Sequence, residues 1–164
     1  MRKKGILFLT EAAMIAAIYV VLTYVFQPFG FMDVQVRIAE ALTILPFFTP
    51  AAIPGLFVGC FLGNLLGGAV FFDVVFGSLT TLVAAIFSYM LRKNKYLVAL
   101  CPIVANTIAV PWILRIAYSL PAPISLMMVT VGIGEVISCG ILGIILLKEL
   151  DKSKHIIFKY KYNG

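Results

Sequence analysis

Residues 38–72 read IAEALTILPFFTPAAIPGLFVGCFLGNLLGGAVFF, a run of 35 positions in which Glu40 is the one charge. A single α-helix of that length would measure about 52 Å, against a hydrocarbon core of roughly 30 Å. The run must therefore fold back on itself. Pro46, Pro50, Pro54 and Gly55 mark where. Proline removes a backbone donor and pushes the residue before it out of the helical region. The stretch predicts a short helix over about 35–49 and another over about 52–70.

The rest of the chain reads the same way. An apolar run from Ile6 to Phe26 follows the basic cap Arg2-Lys3-Lys4. It is too long for the apolar region of a signal peptide and lacks a small-residue cleavage site, so it reads as a membrane helix. Three further spans follow, at about 73–91, 96–116 and 124–147, and then a basic tail over 148–164. The expected architecture is one all-α membrane domain over 1–164, a bundle of six transmembrane helices.

Composition supports this. Apolar residues make up 62% of the chain and charged residues 12%, against roughly 45–50% and 25% in soluble domains. The mean hydropathy is +1.08. A water-soluble enzyme, a disordered regulator and a nucleic-acid binder are all excluded. The net charge of +6 instead orients the bundle. Eleven of the thirteen Lys and Arg fall at 2–4, at 92–95 and in the tail. Four helices separate the first two groups and two separate the last two, so all three groups share a side. Basic loops stay in the cytoplasm, which places both termini there.

Polar residues inside such a bundle are costly and mark either function or an internal pair. Arg37, Glu40, Asn64, Asp73 and Arg115 fall near the outer ends of their spans, and Glu135 and Asn106 near mid-membrane. The inner half carries little beyond Glu11. This asymmetry predicts a polar cavity open to the outside. Several of these residues also have plain structural readings. Arg37 and Glu40, three apart, can pair; Asp73 can cap a helix; Arg115 can snorkel; Trp112 can belong to an aromatic belt. Glu135 resists such a reading, because it lies about 16 Å into its helix with no cation in its own span.

Small residues form two patterns. Gly55, Gly59, Gly63 and Gly67 recur every fourth position, a ladder that lets helices approach closely. Ala12 and Ala16, with Ala13 and Ala17 beside them, form a flat stripe that either packs internally or docks another membrane subunit. Cys60, Cys101 and Cys139 have no metal spacing and read as buried small residues. No nucleotide-binding loop, zinc-protease motif or nucleophile elbow is present, and His155 falls in the tail. The pattern points to a binding module with no metal and no cofactor. The alternatives are a small intramembrane enzyme using Glu135 and Asn106, or a purely structural bundle.

The stretch VRIAEALTILPFF (36–48) resembles the signature of the QueT family, as do NLLGG (64–68) and VGIGEVIS (131–138). That family comprises substrate-binding S components of energy-coupling factor (ECF) transporters. The resemblance implies a non-enzymatic subunit of a bacterial cell membrane. It would capture a queuosine precursor, a 7-deazaguanine such as queuine, preQ1 or preQ0, at the outer face. It would then dock through the alanine stripe on a coupling subunit that carries two ATPases. An S component for another vitamin or purine is the nearest alternative. Within this reading Glu135 and then Glu40 are the expected carboxylates for the donor edge of the base. Asn64 and Asn106 would read its other edge. Phe71, Phe72, Trp112 or Tyr118 would stack on the ring. Asp73, or a spare carboxylate, would take a cationic substituent, with Arg37 and Arg115 completing the binding set.

Overall fold

The computed structural model describes residues 2–27 and 36–157, without the side chains of residues 2, 3, 155 and 156. His155's side chain and the basic residues Lys159 and Lys161 therefore lie outside the described residues. Every element described is helical. They are α1 (Arg2–Val25), a 3-10 helix (Ile38–Phe47), α2 (Ala52–Leu66), α3 (Phe71–Met90), α4 (Lys95–Tyr118) and a rod over Ile124–Lys152. The rod consists of α5 (Ile124–Glu135), a π-helical turn (Val136–Leu142) and α6 (Gly143–Lys152), followed by the short α7 (Lys154–Ile157).

Four of these elements are long and apolar enough to cross a bilayer: α1, α3, α4 and the rod. The second span differs from expectation. It is a ten-residue 3-10 helix rather than an α-helix, about 20 Å long at the 3-10 rise. Pro46 sits inside it, and proline cannot donate to the ladder that an α-helix needs there. The segment is wrapped by the bundle rather than by solvent: Ile44, Leu45 and Phe48 are buried with Leu56, Val98 and Leu147.

The glycine ladder explains how α1 and α2 meet. Ala12, Ile15, Ala16 and Tyr19 are the buried face of α1, at the i, i+3, i+4, i+7 spacing of one helical stripe. A Cβ placed on Gly55 would stand 2.8 Å from the Ala12 carbonyl oxygen, and one on Gly59 would stand 2.7 Å from Tyr19 Cβ. Only glycine permits this approach. Ala12 and Ala16 are buried inside the bundle, in keeping with the internal-packing reading of that half of the stripe. Ala13 and Ala17, on the opposite side of α1, are exposed.

Proline is accommodated differently in α4. Pro102 has no N–H, so the Val98 carbonyl one turn earlier lacks its helical donor. Ser88 of α3 supplies one, its hydroxyl donating to Val98 O at 3.0 Å. Leu9, Ile18, Tyr24, Phe76, Phe87, Ile108 and Ile133 meanwhile face outward. A bundle apolar on its outside as well as within is built for lipid rather than water.

Candidate functional site

The 3-10 helix sets the site's geometry. Its three-residue turn stacks positions i and i+3, so Glu40 and Thr43 form one row, with Arg37 at the extended N-cap position before them. Tyr19 of α1 donates to Glu40 Oε1 at 2.6 Å, which leaves Glu40 Oε2 buried with no hydrogen-bond partner. Thr43 donates to the Glu40 carbonyl oxygen at 2.6 Å. From the other side of the bundle comes Glu135, the last residue of α5. Asn106 of α4 donates to its Oε1 at 3.0 Å, so the partner that Glu135 lacks on its own helix comes from the neighbouring one.

The π-helical turn begins directly after Glu135 and carries Cys139 beneath it. The Cys139 thiol donates to Glu135 Oε2 at 3.2 Å and lies 3.4 Å from the Glu40 carbonyl oxygen. One donor atom from each of Glu40, Glu135 and Cys139 lies within 4.8 Å of the other two. Glu40 is 1% exposed and Glu135 4%. Among the described residues the ion pairs are Lys152–Glu149 and Lys154–Asp151, both outside this cluster. The helical spacing would allow Arg37 and Glu40 to pair, but they form no such contact. Arg37 instead lines a small cavity with Tyr19 and Asn64.

A second polar group lies toward the end of the bundle where α1, α2 and α4 finish. Asp73 and Asn64 are both buried and converge over Gly77. A Cβ there would stand 3.1 Å from Asp73 Oδ1 and 3.4 Å from Asn64 Nδ2. Asp73 does not cap α3, whose N-cap is Val70; it accepts from the Tyr118 hydroxyl at 3.1 Å. Between the two groups is a cavity of about 30 Å³ lined by Tyr19, Thr23, Gln27, Arg37 and Asn64. Tyr19 joins them, since it lines this cavity and also holds Glu40.

Other expected residues stand apart. Phe71 is 72% exposed and Trp112 50%. Trp112 and Phe72 line an apolar groove of about 590 Å³ on the outer surface between α3 and α4. Arg115 is exposed and donates to the Ala122 carbonyl oxygen at 3.0 Å. The structure thus brings Glu40, Glu135 and Asn106 into one cluster, and Arg37, Asn64 and Asp73 next to it. It leaves Phe71, Trp112 and Arg115 on the periphery. Tyr19, Thr43 and Cys139 belong to the cluster but were not expected there. The one sequence signal for Cys139 was its position four residues after Glu135.

Of the four carboxylate oxygens in the cluster, Glu40 Oε2 alone has no hydrogen-bond partner. The comparisons agree with a transport role. The family model described as QueT transporter matches residues 9–152. A queuosine precursor transporter QueT of Lactococcus lactis subsp. cremoris (strain MG1363) is 32% identical over 85 residues. That match covers 51% of this chain and 50% of the relative, so about half of each is aligned. No solved structure matches. A lipid-facing helical bundle with a buried carboxylate cluster, matched by the family model along most of its length, places this chain in the QueT transporter family.

Proposed function

We propose that this chain is the substrate-binding subunit of an ECF-type ABC importer. It captures a queuosine precursor, a 7-deazaguanine such as queuine, preQ1 or preQ0, from the outer face of a bacterial cell membrane. The observation that carries this reading is the pair of buried carboxylates, Glu40 and Glu135, with no cation in ion-pair reach among the described residues. Buried charge in a membrane bundle is expensive and persists where a ligand offsets it. A deazaguanine presents several N–H donors, and carboxylates make the stronger, charge-assisted hydrogen bonds to them. Asn106 holds Glu135, and Asn64, Asp73 and Arg37 in the neighbouring polar group supply further donors and acceptors for the ring.

The basic groups at 2–4, 92–95 and the tail set the orientation, with both termini cytoplasmic. The Arg37–Asp73 end then faces outward, where solute enters. The chain hydrolyses no ATP of its own; energy comes from a coupling subunit and two ATPases. Docking on that subunit falls to Ala13 and Ala17, the exposed half of the stripe. Native mass spectrometry of the purified chain, followed by calorimetry, tests the reading. Queuine, preQ1 or preQ0 should bind, and riboflavin should not. Binding of riboflavin with no response to any deazaguanine would refute it.

A further inference from the structure

We infer that the surface between α3 and α4 carries a site for an anionic phospholipid. One acyl chain lies in the groove between the two helices, and the phosphate sits on Arg92, Lys93 and Lys95 of the loop that joins them. The site is separate from the carboxylate cluster and uses none of its residues.

The groove lined by Phe72 and Trp112 continues toward this loop. It shares Val83 and Ala105 with a second groove of about 340 Å³ between the same helices. Phe87 and Leu91 line this second stretch on one side, and Leu97, Leu100 and Val104 of α4 on the other. Leu91 and Leu97 flank the loop directly. The helix from Leu97 to Ala105 rises about 12 Å, close to half of a roughly 30 Å hydrocarbon core. That is the depth of one leaflet's acyl chains. The lining carries no hydroxyl, amide or charged group, and Phe87, Leu91, Leu97 and Leu100 are all exposed. Partner helices associate in a bilayer largely through small residues and interhelical hydrogen bonds. Bulky, exposed and purely apolar walls suit a flexible hydrocarbon chain instead.

The loop at the mouth of this groove supplies the complementary charge. Arg92, Lys93 and Lys95 form no ion pair among the described residues. Arg92 Nη1 is buried and has no hydrogen-bond partner, and a buried donor without an acceptor costs free energy until one arrives. The Arg92 guanidinium lies over the Tyr89 ring, 4.0 Å from its centre, and Lys95 Nζ lies 5.3 Å from the centre of the Tyr96 ring. Tyrosines favour the headgroup level of a bilayer, so this pair holds the cations at the depth of lipid phosphates. Phosphate oxygens match both a guanidinium fork and an ammonium group. Basic residues beside a membrane span attract anionic lipids. A choline lipid carries its own cation next to the phosphate and gains less from them.

Native mass spectrometry of the full chain in detergent tests this, with phosphatidylglycerol and phosphatidylcholine of equal chain length added together. The expected result is one retained phosphatidylglycerol, favoured at least about tenfold over phosphatidylcholine. The combined change Arg92→Gln, Lys93→Gln and Lys95→Gln should remove that preference. Val104→Phe, which narrows the groove, should weaken retention of both lipids. Equal retention of the two lipids by the wild type overturns the inference, and that comparison needs no variant. Retention of phosphatidylglycerol unchanged by Val104→Phe overturns it too, because the chain would then lie elsewhere. Displacement of the lipid by excess glycerol 3-phosphate would likewise overturn it, since a free phosphate would suffice.

Discussion

Replacing Glu135 by Gln keeps the shape of the side chain and changes its charge and one of its acceptors. The amide oxygen can still accept from Asn106 Nδ2, as Glu135 Oε1 does at 3.0 Å. The amide nitrogen then faces the Cys139 sulfur, so the 3.2 Å thiol contact with Oε2 reverses into a weak N–H···S contact. The cost to folding should be about 1 kcal/mol, the net worth of one ordinary hydrogen bond. Ligand binding should suffer more. A donor now opposes the donor groups of the solute, and a buried group left unpaired costs about 1–3 kcal/mol, more when charge is involved. A loss of about 2–4 kcal/mol corresponds to roughly 30- to 700-fold in affinity. Calorimetry with a 7-deazaguanine on detergent-purified protein measures this, alongside thermal unfolding of the same samples. Unchanged affinity in Glu135→Gln, with a large loss in Glu40→Gln, would refute the role given to Glu135 and move it to the 3-10 helix.

Tyr19→Phe removes the donor to Glu40 Oε1 and leaves both Glu40 oxygens without a hydrogen bond. Thermal unfolding should show a loss of about 1–3 kcal/mol, and a melting curve like that of the wild type would count against the contact. Gly59→Leu drives a side chain into Tyr19 and Ala16 and should cost about 3 kcal/mol or more through overpacking, seen as aggregation or a lowered melting temperature. Ala17→Trp should leave solute affinity intact while abolishing assembly with the coupling subunit in a pull-down; normal assembly would remove this face from the docking surface. Proteoliposomes holding this chain alone should show no ATP-driven accumulation of the solute. Concentrative uptake by the chain alone would contradict the proposed division of labour.

The residues brought together from distant parts of the chain show why sequence reading reached only part of the site. Glu40 and Glu135 stand out in sequence because charge is rare and costly in apolar spans, whatever the packing. That they lie side by side depends on how the 3-10 helix threads the bundle to meet the π-helical turn, and no local pattern encodes that meeting. Tyr19 looks in sequence like one more aromatic residue of an apolar helix. It becomes a ligand of Glu40 because the glycines of α2 let α1 approach closely enough.

Chain chemistry alone determines that this is an all-helical, lipid-facing protein, because the length of the apolar runs and the shortage of charge admit no other solvent. It also determines where the second run breaks, since proline acts on its own neighbours. The tertiary structure alone decides which small residues are spent inside. Ala12 and Ala13 are adjacent and chemically identical, yet the 100° between successive helix positions turns one onto Gly55 and the other out toward the bilayer. It likewise decides which aromatics stay outside. Trp112 of α4 and Phe71 of α3 have the composition of a stacking platform, but both lie on exposed faces of their helices. Helical spacing dictates which residues share a face; only packing against the other helices determines what that face meets.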